Sequence, residues 1–142
     1  MERATVLFDL ECGFCRWTAD RLAAWDRRGR LRFVALQEPE ADRLLPGMPE
    51  ERKMGSWHLV LPNGRVRSAG DAVAPLMRRL PGGGPIAALA TALPGPTERL
   101  YAFVSRHRDG LAQVLGPRRS CVDPRSARRP GDRPNGKRAR AR

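Results

Sequence analysis

The apolar residues of this chain predict an α/β fold in the order strand, helix, strand, short helix, β-hairpin and then helices. Three observations carry the prediction. The β-branched and apolar run Thr5-Val6-Leu7-Phe8 ends at Asp9. A helical pattern follows, in which Phe14, Trp17, Thr18, Leu22 and Trp25 recur at 3–4 spacing or its multiples. A second short apolar run, Leu31-Arg32-Phe33-Val34-Ala35-Leu36, comes next. Strand, helix and strand joined by short connections imply a right-handed parallel crossover.

Each element has its own signals. Asp9 suits a turn closing the first strand, and Gly29, after Arg27 and Arg28, is a good stop for the first helix. Glu40 to Leu45, bounded by Pro39 and Pro46, reads as a short helix. Trp57-His58-Leu59-Val60-Leu61 is a third strand, and Pro62-Asn63-Gly64 turns it into a fourth, from Arg65 to Ser68, so these two are antiparallel neighbours. Asp71 is placed to cap a helix with Val73, Leu76, Met77 and Leu80 on one stripe, ended by Gly82-Gly83-Gly84. A short apolar helix from Ile86 to Leu93 stops at Pro94-Gly95-Pro96, and Thr97 then caps a longer one through Leu100, Tyr101, Val104 and Arg108. Trp17 and Trp25 fall where core packing would put them. The sum is the minimal thioredoxin-like topology, a βαβ-ββα sheet with additional C-terminal helices.

Composition narrows the function classes. The chain has 142 residues, 41% of them hydrophobic, which suits one domain with a modest core. No apolar run approaches the ~18 residues of a membrane span, so no membrane insertion is expected. The first residues lack the apolar stretch of a signal peptide, and an uncleaved cytoplasmic protein is expected. Three cysteines are too few for a disulfide-stapled secreted scaffold. The formal net charge of +12 is uneven: residues 116–142 hold ten basic residues against Asp123 and Asp132. That segment interleaves prolines and glycines with arginines and has almost nothing apolar, so it reads as a disordered Arg/Pro-rich basic tail on a folded domain of residues 1–115.

The chemistry concentrates in Asp9-Leu10-Glu11-Cys12-Gly13-Phe14-Cys15. Cys12 falls at the junction of the first strand and the first helix, where unpaired backbone N–H groups and the helix dipole favour thiolate over thiol. Cys15, in the first turn, is close enough to close a small disulfide ring but is expected to be shielded. Two inequivalent thiols are what dithiol exchange requires. Cys12 would attack a substrate disulfide, and Cys15 would then attack Cys12, release the reduced substrate and leave an oxidised pair. Asp9 has two readings, an Asx turn closing the strand and a relay for the proton Cys15 must lose, and one carboxylate can serve both. Arg16 adds positive charge beside the pair, and Glu11 reads as solvated.

Asp9-x-x-Cys12-x-x-Cys15, with Leu7-Phe8 before it and Phe14 and Trp17 around it, resembles the signature of the DCC family of thiol-disulfide oxidoreductases. The resemblance extends to Leu31–Leu36, to the hairpin residues Gly64-Arg65-Val66, to Gly70-Asp71-Ala72 and to the helix around Tyr101 and Arg108, and it stops short of the basic tail. It implies a thioredoxin-like fold and a redox-active pair, Cys12 nucleophilic and Cys15 resolving, with Asp9 as an associated site residue and no cofactor. The implied partners are a disulfide-containing protein or small thiol substrate and a reducing partner. Thioredoxins proper carry a cis-proline just before the third strand. Here Met54-Gly55-Ser56 takes that place, so substrate docking is expected to differ.

Other residues admit other functions. A zinc reading would complete Cys12 and Cys15 with two of His58, His107 and Cys121, but no second closely spaced ligand pair exists. A non-catalytic scaffold whose basic tail makes weak nonspecific nucleic-acid contacts is the remaining alternative, and the tail offers no aromatic for base stacking. Cys121 reads as an exposed bystander or as a third thiol reaching Cys12. His58 reads as a packed or surface histidine, and Arg106 and Arg108 as a solvated helix face or as charges aimed at the thiolate.

Overall fold

The computed structural model describes residues 2–115. The basic segment 116–142, with Cys121, lies outside the described residues. Four strands form one mixed sheet in the order β2-β1-β3-β4. The central strand β1 (Ala4–Phe8) is buried along its whole length, which is why its sequence is apolar apart from Thr5 rather than alternating. It pairs in parallel with β2 (Leu31–Ala35), Phe8 opposite Ala35. On its other side it pairs antiparallel with β3 (His58–Val60), which in turn pairs with β4 (Val66–Ser68).

The two faces of β1 feed two cores. Ala4, Val6 and Phe8 pack with Ala19, Leu22, Leu76 and Leu80, while Leu7 packs with Val34, Leu36, Ala41, Leu45 and Val60. Helix α1 (Gly13–Trp25) and helix α4 (Val73–Met77) therefore lie on one face, and α2 (Pro39–Leu44) on the other. This is the mixed α/β, thioredoxin-like arrangement the sequence predicts. After α1 the chain reverses through Gly29 at φ +61°, and both carboxylate oxygens of Asp26 accept backbone N–H groups at the start of β2, from Arg30 at 3.0 Å and Leu31 at 2.7 Å. The hairpin turn closes through Gly64 at φ +80°, with Asn63 Oδ1 accepting the Arg65 N–H.

Several expectations are corrected. Residues 50–55 form a helix, α3 (Glu50–Gly55), which carries no apolar stripe to betray it and is anchored by Lys53 Nζ, buried and bonded to Asp42 at 2.7 Å. Asp71 caps nothing: it lies in a 3₁₀ turn (Ala69–Ala72) and pairs with Arg67 at 3.5 Å. Helix α5 (Gly84–Ala92) is followed by α6 (Pro94–Arg106), whose first turn contains Pro94-Gly95-Pro96; proline is preorganised there because its missing N–H has no helical partner to lose. Thr97 is thus inside α6, its hydroxyl donating to the Leu93 carbonyl at 2.7 Å. A further helix, α7 (Arg108–Leu115), packs against α1. Trp25 is not a core residue: it is 36% exposed and its Nε1 donates to the Pro81 carbonyl at 2.9 Å. Trp17 is half-buried, stacked on Phe14 with ring centres 6.1 Å apart.

Candidate active site

Cys12 is the N-cap of α1. Its backbone is extended, as an N-cap requires, and its Sγ accepts the N–H of Cys15 at 3.3 Å. The sulfur thus takes the place a serine or aspartate oxygen usually holds, against a helix start that favours negative charge. Cys12 and Cys15 are both free thiols and both half-buried.

The two sulfurs sit in different environments. Burial pushes the Cys15 thiol well above the usual range, and the hydrogen bond to Cys12, the charge on Cys12 and the carboxylate of Asp9 push the same way. Arg108 acts against them. Cys15 is therefore held as a thiol beside Cys12 until something takes its proton.

Asp9 sits one residue past β1. Its Oδ1 accepts the Glu11 N–H at 2.9 Å, closing an Asx turn, and accepts Gln37 Nε2 at 2.6 Å. Gln37 Oε1 in turn accepts the Leu10 N–H at 3.1 Å. The Asx turn is thus formed, and the same carboxylate lines a cavity together with Cys15. Gln37 was not singled out from sequence, although the parallel register of β1 and β2 carries a signal. Phe8 faces Ala35, so two residues further on the chain brings 37 beside 10.

The cavity has a volume of about 260 Å³ and lies between the sheet, α1 and α4, with α6 and α7 along one side. Its walls are mostly apolar. Met54, Ser56 and Trp57 line it, so the segment standing where thioredoxins carry their cis-proline faces the space behind Cys15. Tyr101, Val104, Ser105 and Arg108 line it as well, at the spacing of one helical face running from α6 into α7. Arg108 thus belongs to the site rather than to a solvated face, whereas Arg106 and Glu11 are exposed. Leu100, one residue off that face, is 65% exposed.

The histidines stand apart. His58 is fully buried, its Nε2 donating to the Lys53 carbonyl at 2.9 Å and its Nδ1 accepting from the Ser68 hydroxyl at 2.6 Å. Burial holds its pKa below the ordinary value although the Lys53 carbonyl works the other way. Both ring nitrogens are committed, which removes it from any zinc site. His107 is exposed and donates Nδ1–H to the Phe103 carbonyl at 2.8 Å. Among the described residues no three His, Cys, Asp or Glu side chains cluster to hold a metal, and no helix is long and apolar enough to cross a membrane.

A parallel β-α-β unit on a four-stranded mixed sheet, with two cysteines at the start of its helix, is a thioredoxin-like arrangement. Residues 6–113 match the DCC1-like thiol-disulfide oxidoreductases, and the chain belongs to that family. No curated protein matches the chain, and no solved structure does.

Proposed function

We propose that the chain is a dithiol oxidoreductase of the protein-disulfide reductase type, in which Cys12 attacks, Cys15 resolves and Asp9 relays the proton. The observation that carries the proposal is the asymmetry of the pair: Cys12 Sγ caps the helix while Cys15, bonded to it, is held protonated by burial. The Cys12 thiolate attacks one sulfur of a substrate disulfide. That bond breaks, a Cys12–substrate disulfide forms, and the departing thiolate takes a proton from water. Cys15 then gives its proton to Asp9 and attacks Cys12 Sγ, expelling the second substrate thiolate. Two electrons pass to the substrate and the Cys12–Cys15 disulfide remains, to be reduced by a partner dithiol or a small thiol. A cytoplasmic setting, where such reductants are abundant, suits this direction.

The test is the thiol state of the protein across glutathione redox buffers, read by alkylation and mass, with Cys15→Ser alongside. The expected result is one two-electron transition of the pair between roughly −300 and −120 mV. Cys15→Ser is expected to accumulate a glutathione mixed disulfide on Cys12. A pair that never oxidises, or a Cys15→Ser protein that forms no mixed disulfide on Cys12, overturns the assignment.

A further inference from the structure

The space behind Cys15 is a partly open cleft between the sheet and the helices. Its walls give it a chemical character. Phe14, Trp57 and Tyr101 supply aromatic surface, and Met54 and Met77 supply thioethers, which make favourable contacts with aromatic rings. Its size can be judged by proportion: a cavity of ~150 Å³ accepts benzene. At about 260 Å³, this one has room for a bicyclic aromatic body.

Its lining includes two charged residues. Arg108 is the one basic residue on the described wall and Asp9 the one acidic residue. Asp9 Oδ1 is taken by the Glu11 N–H and by Gln37, which ties that carboxylate to its own turn and to the loop after β2. Arg108 presents a planar guanidinium, the donor geometry that matches a carboxylate in a two-point contact, and the apolar surroundings strengthen such a contact. A largely apolar cleft with one arginine on its wall suits an amphiphilic anion.

We propose that this cavity is a binding site for a small aromatic carboxylate, with the ring system against the apolar wall, the carboxylate on Arg108 and the ligand's edge against Cys15. The site stands whether or not the thiols exchange; only its consequence rests on the oxidoreductase reading. A carboxylate on Arg108 cancels the charge that favours the Cys15 thiolate, so an occupied cavity slows the resolving step.

The probes are 2-naphthoate and its uncharged isostere 2-naphthamide, titrated calorimetrically into the full chain. The expected result is one-to-one binding of naphthoate at least tenfold tighter than naphthamide. Arg108→Gln is expected to remove that tenfold preference and leave naphthamide binding unchanged. Val104→Phe, which fills the cavity from α6, abolishes binding of both; Val73→Phe fills it from α4 should the first variant fold poorly, and thermal melts decide which is used. No naphthoate binding at millimolar concentration, equal affinity for the two probes, or binding indifferent to a well-folded filling variant overturns the proposal. The titration is repeated on Cys12→Ser, in which the proposed exchange cannot start. Absence of binding there refutes the cavity site alone, while an inert thiol pair with naphthoate binding intact refutes the oxidoreductase reading alone.

Discussion

Asp9→Asn separates the turn that Asp9 closes from the proton relay proposed for the same carboxylate. The substitution keeps the shape of the turn, since an amide Oδ1 still accepts the Glu11 N–H at 2.9 Å and the Gln37 amide at 2.6 Å. Two bonds to a charged oxygen become bonds to a neutral one, a loss of about 1 kcal/mol in stability. The effect on chemistry is larger, and its sign is diagnostic. Asp9 is one of the groups that hold the Cys15 pKa up, so removing its charge lowers that pKa and raises the thiolate fraction. If Asp9 only closed the turn, resolution near neutral pH would speed up, by about threefold for each unit the pKa falls, since the tenfold gain in thiolate is partly offset by its weaker nucleophilicity. If Asp9 takes the proton, resolution slows instead, by ~10²–10⁴, the usual worth of a positioned base. The two outcomes lie on opposite sides of the wild-type rate. Stopped-flow mixing of the reduced protein with an aromatic disulfide that releases a coloured thiolate resolves them. The first equivalent reports attack by Cys12 and the second reports resolution by Cys15. We expect an unchanged first phase and a slowed second one; a second phase as fast as wild type or faster refutes the relay.

Three further outcomes are expected. At neutral pH iodoacetamide should label Cys12 and spare Cys15; in Cys12→Ser, mass spectrometry should show Cys15 alkylated faster than in the wild type, because the bond and charge of Cys12 are gone, yet more slowly than an exposed cysteine because burial remains the larger cause. The buried His58 has its folded pKa lowered, so the unfolded chain binds the extra proton first as pH falls. Stability is therefore full above about 6.5, the unfolded value, and declines below it by at most ~1.4 kcal/mol per pH unit, a slope that urea midpoints should show and His58→Gln should lack. Gly70→Ala would place a Cβ 3.0 Å from the Glu98 Cα and 2.2 Å from its Oε2. The carboxylate can swing away but the backbone of α6 must move, so thermal melts should show a loss of about 1–3 kcal/mol.

What the sequence made legible follows the range over which each feature is determined. Asp9, Cys12 and Cys15 lie within seven residues on one strand-to-helix junction, so their placement needed only the end of an apolar run and the start of a helical period. The parallel crossover was equally local, fixed by the handedness of a short β-α-β unit. Helix α3 was not legible because its stability comes from Lys53 buried against Asp42 on α2, and a pattern search for apolar periodicity reads Glu50-Glu51-Arg52-Lys53 as solvated. Trp25 misled for the complementary reason: its spacing fits the helix stripe, but it lies at the last residue of α1, where its indole reaches Pro81 instead of the core. The cavity wall required the most distant information. Tyr101, Val104, Ser105 and Arg108 share a helical face, yet whether that face meets solvent or the dithiol depends on where α6 is carried by its contact with the 3₁₀ turn, through Gly70 N–H and Glu98 at 3.0 Å. The atoms proposed to react therefore belong to a local motif that a sequence can announce, whereas the wall that would select a ligand is assembled from residues about ninety positions away. It follows that substitutions at Gly70 or Glu98 should alter naphthoate affinity through the position of α6, with Cys12 still reacting at its normal rate.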